Sequence, residues 1–407
     1  MLNNSPVCDG KILAILTPMI ARIEIYRDLL IQNIQSLRAH LAHVDKKVSI
    51  ISVIKAQAYG LGMKEVVSCL DSEVDAWGVD DIDELYALRF LTEKDVYMLG
   101  YTAHEDMEKL LMLRGIPVVY DIETLRCIDK TAEFLEMTAD IHVKIDALLG
   151  RQGLIYDEID EFLVELQTLS HVRLRGLYGH FADLEDTDEG SYAQTQLEAY
   201  QEALGMFEKA GFMQLETHIS ATAGAVLGLD SYTHVRIGIG MYGIWPSDSI
   251  RKEHSSKIQL KPVVRWLTQI AQVKKIQAGR SIGYGRTFIA ENDMVVAVIP
   301  QGYSDGYNRL LSNSGEVLIH GTRCPVLGRV AMNMFVVDVT HIEGVAREDE
   351  VVLLGTQGDE EISAEEIAHI CQTIPYEVLT WLNPLLPRRV IMTSRNSETQ
   401  KLRNSET

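Results

Sequence analysis

A lone lysine at the end of an apolar run, followed far downstream by arginines, a histidine and hydroxyls at comparable strand ends, is a pattern that can support amine chemistry. Lys55 closes such a run in Val53-Ile54-Lys55-Ala56-Gln57-Ala58-Tyr59-Gly60-Leu61-Gly62. The stretch before it, Val48 to Ile54, reads as a buried strand of a parallel sheet. Apolar neighbours lower the pKa of an amine and free it as a nucleophile, so the placement suits a Schiff-base lysine. A lysine that simply ends a strand in solvent fits the decapeptide as well. The later residues are Arg151 in Asp146-Ala-Leu-Leu-Gly-Arg151, and Tyr178 and His180 in Gly176-Leu-Tyr-Gly-His-Phe-Ala182. Ser220, Thr222 and then Arg236-Ile-Gly-Ile-Gly240 complete the set.

These residues acquire meaning from the elements that must position them. From Lys46 onward the chain alternates strand-like and helix-like segments. Strands are expected at Val48–Ile54, Ala76–Val79, Asp95–Leu99, Ile116–Tyr120, Asp140–Ile145, Arg173–Tyr178, Leu215–Ile219 and His234–Ile239. Helical periodicity falls between them, at Asp81–Leu91, Glu105–Arg114, Ile122–Met137, Asp157–Leu169 and Gln194–Lys209, with an earlier helix from Asp28 to Val44. Eight such repeats read as a (β/α)8 barrel of the TIM type, whose chemistry sits at the C-terminal strand ends. Lys55, Arg151, Tyr178, His180, Ser220, Thr222 and Arg236 then share one rim.

Beyond about residue 260 the texture changes to short β segments: Arg265–Ile276, Met294–Ile299, Val317–His320, Phe335–Val339 and Glu350–Leu354. Only Ala364–Cys371 reads as helical there. The expected organisation is a barrel over 19–255 and a mainly β domain over 256–393, the boundary falling between Ser247 and Pro262. An N-terminal arm (9–18) would pack on the β domain, and a disordered tail would run from 394 to 407.

The rim after strands seven and eight is the usual phosphate site of such barrels. Thr222, the backbone N–H groups of Gly238 and Ile239, and Tyr59 could cradle a phosphate there. Phosphate, a Schiff-base lysine and a histidine able to stack on a ring together point to pyridoxal 5'-phosphate. A phosphosugar aldolase would need the same lysine and cradle, but not an added β domain or an arginine beside a pyridine nitrogen.

The bulk properties narrow the partners. A net charge of −20 over 407 residues argues against nucleic acid or an anionic membrane surface. Five scattered cysteines without a C-x-x-C pair suit a reducing cytoplasm and offer no metal site. The apolar segment Lys11–Ala21 follows an acidic Asp9 and is broken by Pro18, so a strand or packed arm is expected rather than an export signal. Nothing reaches the ~20 apolar residues that a membrane span needs.

Ile54-Lys-Ala-Gln-Ala-Tyr-Gly60 resembles the pyridoxal-lysine motif of the alanine racemases. Similar motifs follow in order: His142-Val-Lys-Ile-Asp146, Gly150-Arg151, Tyr178-Gly-His-Phe181, Val235-Arg-Ile-Gly-Ile239 and Tyr242-Gly243. In the β domain they continue as Gly283-Tyr-Gly285, Gln301-Gly-Tyr-Ser-Asp-Gly306, Gly328-Arg-Val-Ala-Met332 and Pro375-Tyr-Glu-Val378. The resemblance spans about Pro18 to Arg389.

It implies a pyridoxal-phosphate-dependent interconversion of L- and D-alanine, supplying D-alanine for cell-wall synthesis, by a cytoplasmic homodimer with shared sites. Lys55 and Tyr284 would be the two catalytic bases on opposite faces of the cofactor, Tyr284 reaching in from the second subunit. Arg236 would face the pyridine nitrogen, and His180 would stack on the ring. Tyr59, Thr222, Gly238, Ile239 and Tyr376 would hold the phosphate. Arg151 and the backbone of Met332 would meet the substrate carboxylate, with Tyr303 lining the way in. A phenol normally titrates near 10, so Tyr284 would need a cationic environment to act as a base, which His180 and nearby arginines could supply. Lys144 faces the barrel interior with His142 and Asp146. It would be either carbamylated, as is common in the family, or paired with Asp146.

Three sites depart from the family pattern: Ala147-Leu148-Leu149 before Gly150, Ala221, and Asn333 after Met332. They bear on substrate range and rate, and leave a racemase for serine or a broader set as an alternative. A non-catalytic pyridoxal-phosphate carrier or a related decarboxylase are further ones.

Overall fold

The computed structural model describes residues 20–42, 48–184, 191–229 and 232–392. The N-terminal arm and the repeated tail expected from the sequence lie outside these residues. Alternation of apolar strands with amphipathic helices produces two runs of parallel strands that together make the barrel. One run orders His234–Ile237, Ser49–Val53, Ala76–Val79, Val96–Met98 and Gly115–Ile116 side by side. The other orders Val118–Val119, Ala139–Lys144, Val172–Tyr178 and Glu216–His218.

The expected fourth strand, Ile116–Tyr120, is split at Pro117, which has no N–H to give to a ladder. Bonds from Thr233 N to Thr217 O and from Arg236 N to Ser220 O, both 3.1 Å, join the last two strands. The helices start where the sequence supplies caps. Asp81 accepts from the backbone of Asp83 and Glu84 to open Ile82–Arg89, and Asp121 accepts from Thr124 to open Ile122–Phe134.

The second part is a ten-stranded sheet, antiparallel in all but one of its pairings. Its path runs Gln272–Ile276, Met294–Ile299, Phe335–Asp338, Thr322–Leu327, Glu316–Ile319, Glu350–Gln357, Val264–Gln269, Arg22–Tyr26 and Arg388–Ile391, with Glu360–Ile362 beside Glu350–Gln357. Three expectations change here. The segment Arg265–Ile276 is two strands rather than one. A second helix, Pro375–Thr380, follows Ala364–Cys371, with proline in its first turn, where a missing N–H costs nothing. Arg22–Tyr26, expected at the start of the barrel, pairs instead with Val264–Gln269 and Arg388–Ile391 in the large sheet. Its neighbour Arg27–Leu41 returns to the barrel, burying Leu30, Ile34 and Leu37. One apolar core runs through both parts. Among the described residues no helix is long and apolar enough to cross a membrane.

Candidate active site

The barrel strands bring Lys55, Tyr59, Lys144, Arg151, Tyr178, His180, Thr222, Arg236, Gly238 and Ile239 to one cavity of about 870 Å³. The helix Pro375–Thr380 closes one side with Tyr376, Glu377 and Thr380, so the two parts of the chain build the cavity together. Tyr376 lies 6.2 Å, ring to ring, from Tyr59.

Lys55 is followed by an unusual backbone. Ala56, Gln57, Ala58 and Tyr59 all have φ between 53° and 57°, a left-handed turn that costs non-glycine residues roughly 1–2 kcal/mol each. Glu84 helps hold it by accepting from Ala56 N at 2.5 Å and from Asp80 N at 2.9 Å. Asp80 in turn pairs with Lys55 Nζ at 3.2 Å. The apolar enclosure expected for this amine is not what forms: the Lys55 side chain is 46% exposed and its neighbour is a carboxylate. Asp80 and Glu84 were not singled out in the sequence, because nothing in their spacing ties them to Lys55.

Arg236, in the cavity wall, is buried. Its NH2 donates to the carbonyls of Gly179 (2.8 Å) and Ile219 (2.9 Å) and lies 3.1 Å from His180 Nδ1, while NH1 donates to His218 Nδ1. Burial lowers Arg236 to about 10, so it stays charged at neutral pH. His180 is pushed down to about 3 by burial and then by Arg236. It is therefore neutral, and the expectation that it lends positive charge to a base is corrected: an imidazole this close to a guanidinium gives up its proton.

The cradle after strands seven and eight is tightly fitted. Thr222 Oγ1 accepts from the N–H groups of Gly238 (3.3 Å) and Gly240 (3.4 Å). A Cβ on Gly238 would come within 2.3 Å of Tyr59 OH, so only glycine leaves that hydroxyl in place. Ser220, expected on the rim, instead donates to Leu229 O at 3.1 Å and braces the loop.

Lys144 Nζ donates to Gln152 Oε1 at 3.0 Å, and burial, followed by Arg151, lowers it to about 8. The alternative Lys144–Asp146 pair does not form, because Asp146 turns away to accept from Gly150 N (2.9 Å) and Arg151 N (3.2 Å). The loop so capped has positive φ at Ala147 and Leu148.

Three predicted residues are absent from this cavity. Tyr284 is 73% exposed, Tyr303 44% and Met332 55%. They lie on exposed turns and loops of the β domain, with those of Tyr303 and Met332 adjoining: Tyr303 N donates to Ala331 O at 3.1 Å, and Ser304 N to Met332 O at 3.0 Å. Gly283, beside Tyr284, lies against the backbone of Arg329. Asn333 donates to Ser304 Oγ at 2.8 Å.

The residues present fit pyridoxal phosphate. A half-exposed lysine shares the cavity with a glycine- and hydroxyl-lined cradle and a buried donor-only arginine. Tyr178 OH, buried in the cavity wall, has no protein partner among the described residues. Barrel and cavity define a pyridoxal-phosphate enzyme of the barrel-plus-β-domain class. Residues 25–246 match the model for the alanine racemase N-terminal domain, and residues 263–390 that for the alanine racemase C-terminal domain. An alanine racemase of Syntrophobacter fumaroxidans is 40% identical over 81% of this chain and 87% of its own. The solved alanine racemase of Clostridium difficile superimposes with a TM-score of 0.85 at 29% identity, covering 92% of this chain and 96% of that one. The alanine racemase of Bartonella henselae, solved with covalently bound pyridoxal phosphate, gives 0.81 at 25% identity, covering 92% and 100%. This chain belongs to the alanine racemase family.

Proposed function

We infer that this protein is a pyridoxal-phosphate-dependent racemase that interconverts L- and D-alanine, the D-enantiomer serving cell-wall synthesis in the cytoplasm. The observation that carries the reading is the single cavity holding Lys55, Arg236 and the Thr222–Gly238–Ile239 cradle. When bound, pyridoxal phosphate supplies the electron sink that makes the α-proton of an amino acid removable. Tyr59 and Tyr376 close the phosphate end with Thr222 and the N–H groups of Gly238 and Ile239. His180 stacks on the ring as a neutral imidazole. Arg236 has no lone pair, so it cannot accept a proton from the ring nitrogen, and its charge discourages protonation there.

Inversion requires the proton to leave one face and return to the other. Lys55 serves one face; Tyr284 of the partner subunit serves the other. The exposure of Tyr284, Tyr303 and Met332 on turns and loops of the β domain supports this division, since none of them lines the cavity of its own chain. A homodimer with shared sites follows, with Arg151 meeting the substrate carboxylate beside the Met332 backbone of the partner subunit and with the partner's Tyr303 at the entrance.

Lys144 is carbamylated in the working enzyme. Its lowered pKa supports this, because the neutral amine adds to carbon dioxide and releases a proton, leaving an anion near the Arg151 and Arg236 cations that otherwise repel it. Chiral chromatography after incubation of the cofactor-loaded protein with L-alanine, in competition with L-serine and basic amino acids, tests the whole reading. Equal enantiomers of alanine, formed fastest, are expected. Faster inversion of serine would reassign the substrate, and no inversion with cofactor attached at Lys55 would remove the racemase reading.

A further inference from the structure

Inside the barrel, behind Arg236, runs a line of titratable side chains that the reaction above leaves unused. Arg236 NH1 donates to His218 Nδ1. His218 Nε2 stands 3.2 Å from His142 Nδ1, and His142 Nε2 stands 3.0 Å from Glu216 Oε2. The same carboxylate accepts from Tyr97 OH at 2.7 Å and from Arg175 Nε at 2.8 Å. Arg175 goes on to Asp95 Oδ2 at 2.5 Å. His142, His218 and Arg236 are 2%, 1% and 4% exposed, so water reaches the line only at its Glu216 end, where the side chain is 22% exposed.

The two ends permit one arrangement. A guanidinium can only donate, and an ionised carboxylate can only accept. His218 must therefore accept at Nδ1 and carry its proton on Nε2. That proton points at His142 Nδ1, which accepts, leaving the His142 proton on Nε2 to reach Glu216. Every hydrogen bond runs in the same direction, from the arginine to the carboxylate. Burial keeps both imidazoles below the ordinary histidine range and therefore neutral. Burial alone would raise Glu216, but the bonds from His142, Tyr97 and Arg175 outweigh it and hold the acid down to about 2. A charge-assisted chain of this kind, with both imidazoles buried, is stiff because no member can turn without breaking a neighbour's bond.

We propose that Glu216, acting through His142 and His218, is a positioning residue that locks the Arg236 guanidinium as a fixed donor in the cavity wall. The functional half of this rests on Arg236 being the partner of the cofactor's ring nitrogen. All of Arg236's hydrogen bonds to the protein run from its two terminal nitrogens, so the chain and the carbonyls of Gly179 and Ile219 decide which way its remaining edge faces. Reversing the two imidazoles would set a His218 Nδ1 proton against Arg236 NH1, two donors face to face, and unseat the guanidinium. A carboxylate at 216 forbids that reversal. An amide would permit it, because it can donate as well as accept.

The test begins with protein carrying 15N-labelled histidine and no cofactor. Nitrogen–proton correlation spectra of the wild type should show His142 and His218 neutral with the proton on Nε2 from pH 6 to 9. A proton on Nδ1 in either ring overturns the proposal without need of any variant. Glu216→Gln should show mixed or reversed tautomers. Tyr97→Phe, which removes another bond from the same carboxylate oxygen, should leave them unchanged and so controls for plain loss of stability.

After cofactor loading, pyruvate released from alanine as its amino group passes to the cofactor reports the side reaction that Arg236 should suppress. The ratio of pyruvate formed to alanine inverted should rise tenfold or more in Glu216→Gln and stay within twofold in Tyr97→Phe. Unchanged tautomers and an unchanged ratio in Glu216→Gln would reduce Glu216 to a structural anchor and overturn the proposal. An Arg236→Lys variant separates the two layers. If its ratio also stays at the wild-type value while the tautomers follow the pattern above, the assignment of Arg236 to the ring nitrogen fails and the locked chain stands.

Discussion

Gly238 offers the sharpest test of the phosphate cradle, because the structure fixes what a single methyl group would strike. A Cβ at Gly238 meets Tyr59 OH at 2.3 Å and Tyr59 Cζ at 3.0 Å. Ordinary van der Waals contact begins near 3.4 Å, so in Gly238→Ala the hydroxyl must retreat by about 1 Å, the scale of misplacement that spoils a positioned group. Overpacking of this kind costs about 1–3 kcal/mol of stability. If Tyr59 donates to the cofactor phosphate, the lost charge-assisted bond costs about 1.5–3 kcal/mol of affinity, or roughly 10- to 150-fold in Kd. Absorbance titration of the cofactor-free protein with pyridoxal phosphate measures this directly.

The double variant with Tyr59→Phe makes the argument stricter. Removing the hydroxyl deletes the atom that the methyl group introduced by Gly238→Ala would strike, and both changes lose the same phosphate bond. The two affinity losses should therefore fall short of additive by at least about 1 kcal/mol, and Tyr59→Phe should restore part of the stability. A Gly238→Ala protein that binds cofactor within twofold of the wild type, or strictly additive losses, would show that Tyr59 does not hold the phosphate.

Three other outcomes are expected. Lys55→Ala and Tyr284→Phe proteins, each inactive, should recover about a quarter of wild-type activity when mixed and re-associated, since half the dimers are mixed and each has one intact site; no recovery would place both bases in one chain. In carbon-dioxide-free buffer Lys144 binds fewer protons folded than unfolded between pH 8, its folded value, and about 10.4, so stability should rise through that window. The penalty, about 3 kcal/mol, is fully present below pH 8, so Lys144→Met should be the more stable protein at pH 7 and lose that advantage by pH 10 in urea titrations; a gap independent of pH would refute the burial argument. Glu84→Ala leaves the N–H groups of Ala56 and Asp80 without their acceptor and should lower cofactor-free stability by about 1–3 kcal/mol, with Glu84→Gln closer to wild type. Equal melting of Glu84→Ala and wild type would show that the left-handed turn holds itself.

Much of the architecture was legible in the sequence, because strand and helix periodicities are local. Apolar runs such as Val48–Ile54 and capped helices such as the one opened by Asp81 announce themselves within a dozen residues. The ordered motifs did the same for Lys55, Arg151, His180, Thr222 and Arg236, which sit at successive strand ends and so converge on one cavity once the barrel closes. The partition of Arg22–Tyr26 was not legible, since a five-residue strand carries no mark of which sheet it will join, and that pairing depends on residues more than 200 positions away.

The chemistry of individual groups was settled only by three-dimensional proximity. Lys144 and Asp146 alternate in sequence as a pair would, yet the carboxylate caps the 147–150 loop and the amine takes Gln152. His180 reads as a potential cation until Arg236 stands 3.1 Å away. The line from Arg236 through His218 and His142 to Glu216 joins three barrel strands that the sequence presents as separate segments. Side-chain type and spacing along one chain decide what each element is. Burial and the nearest charge decide what each titratable group does, and those exist only after distant strands have been laid side by side.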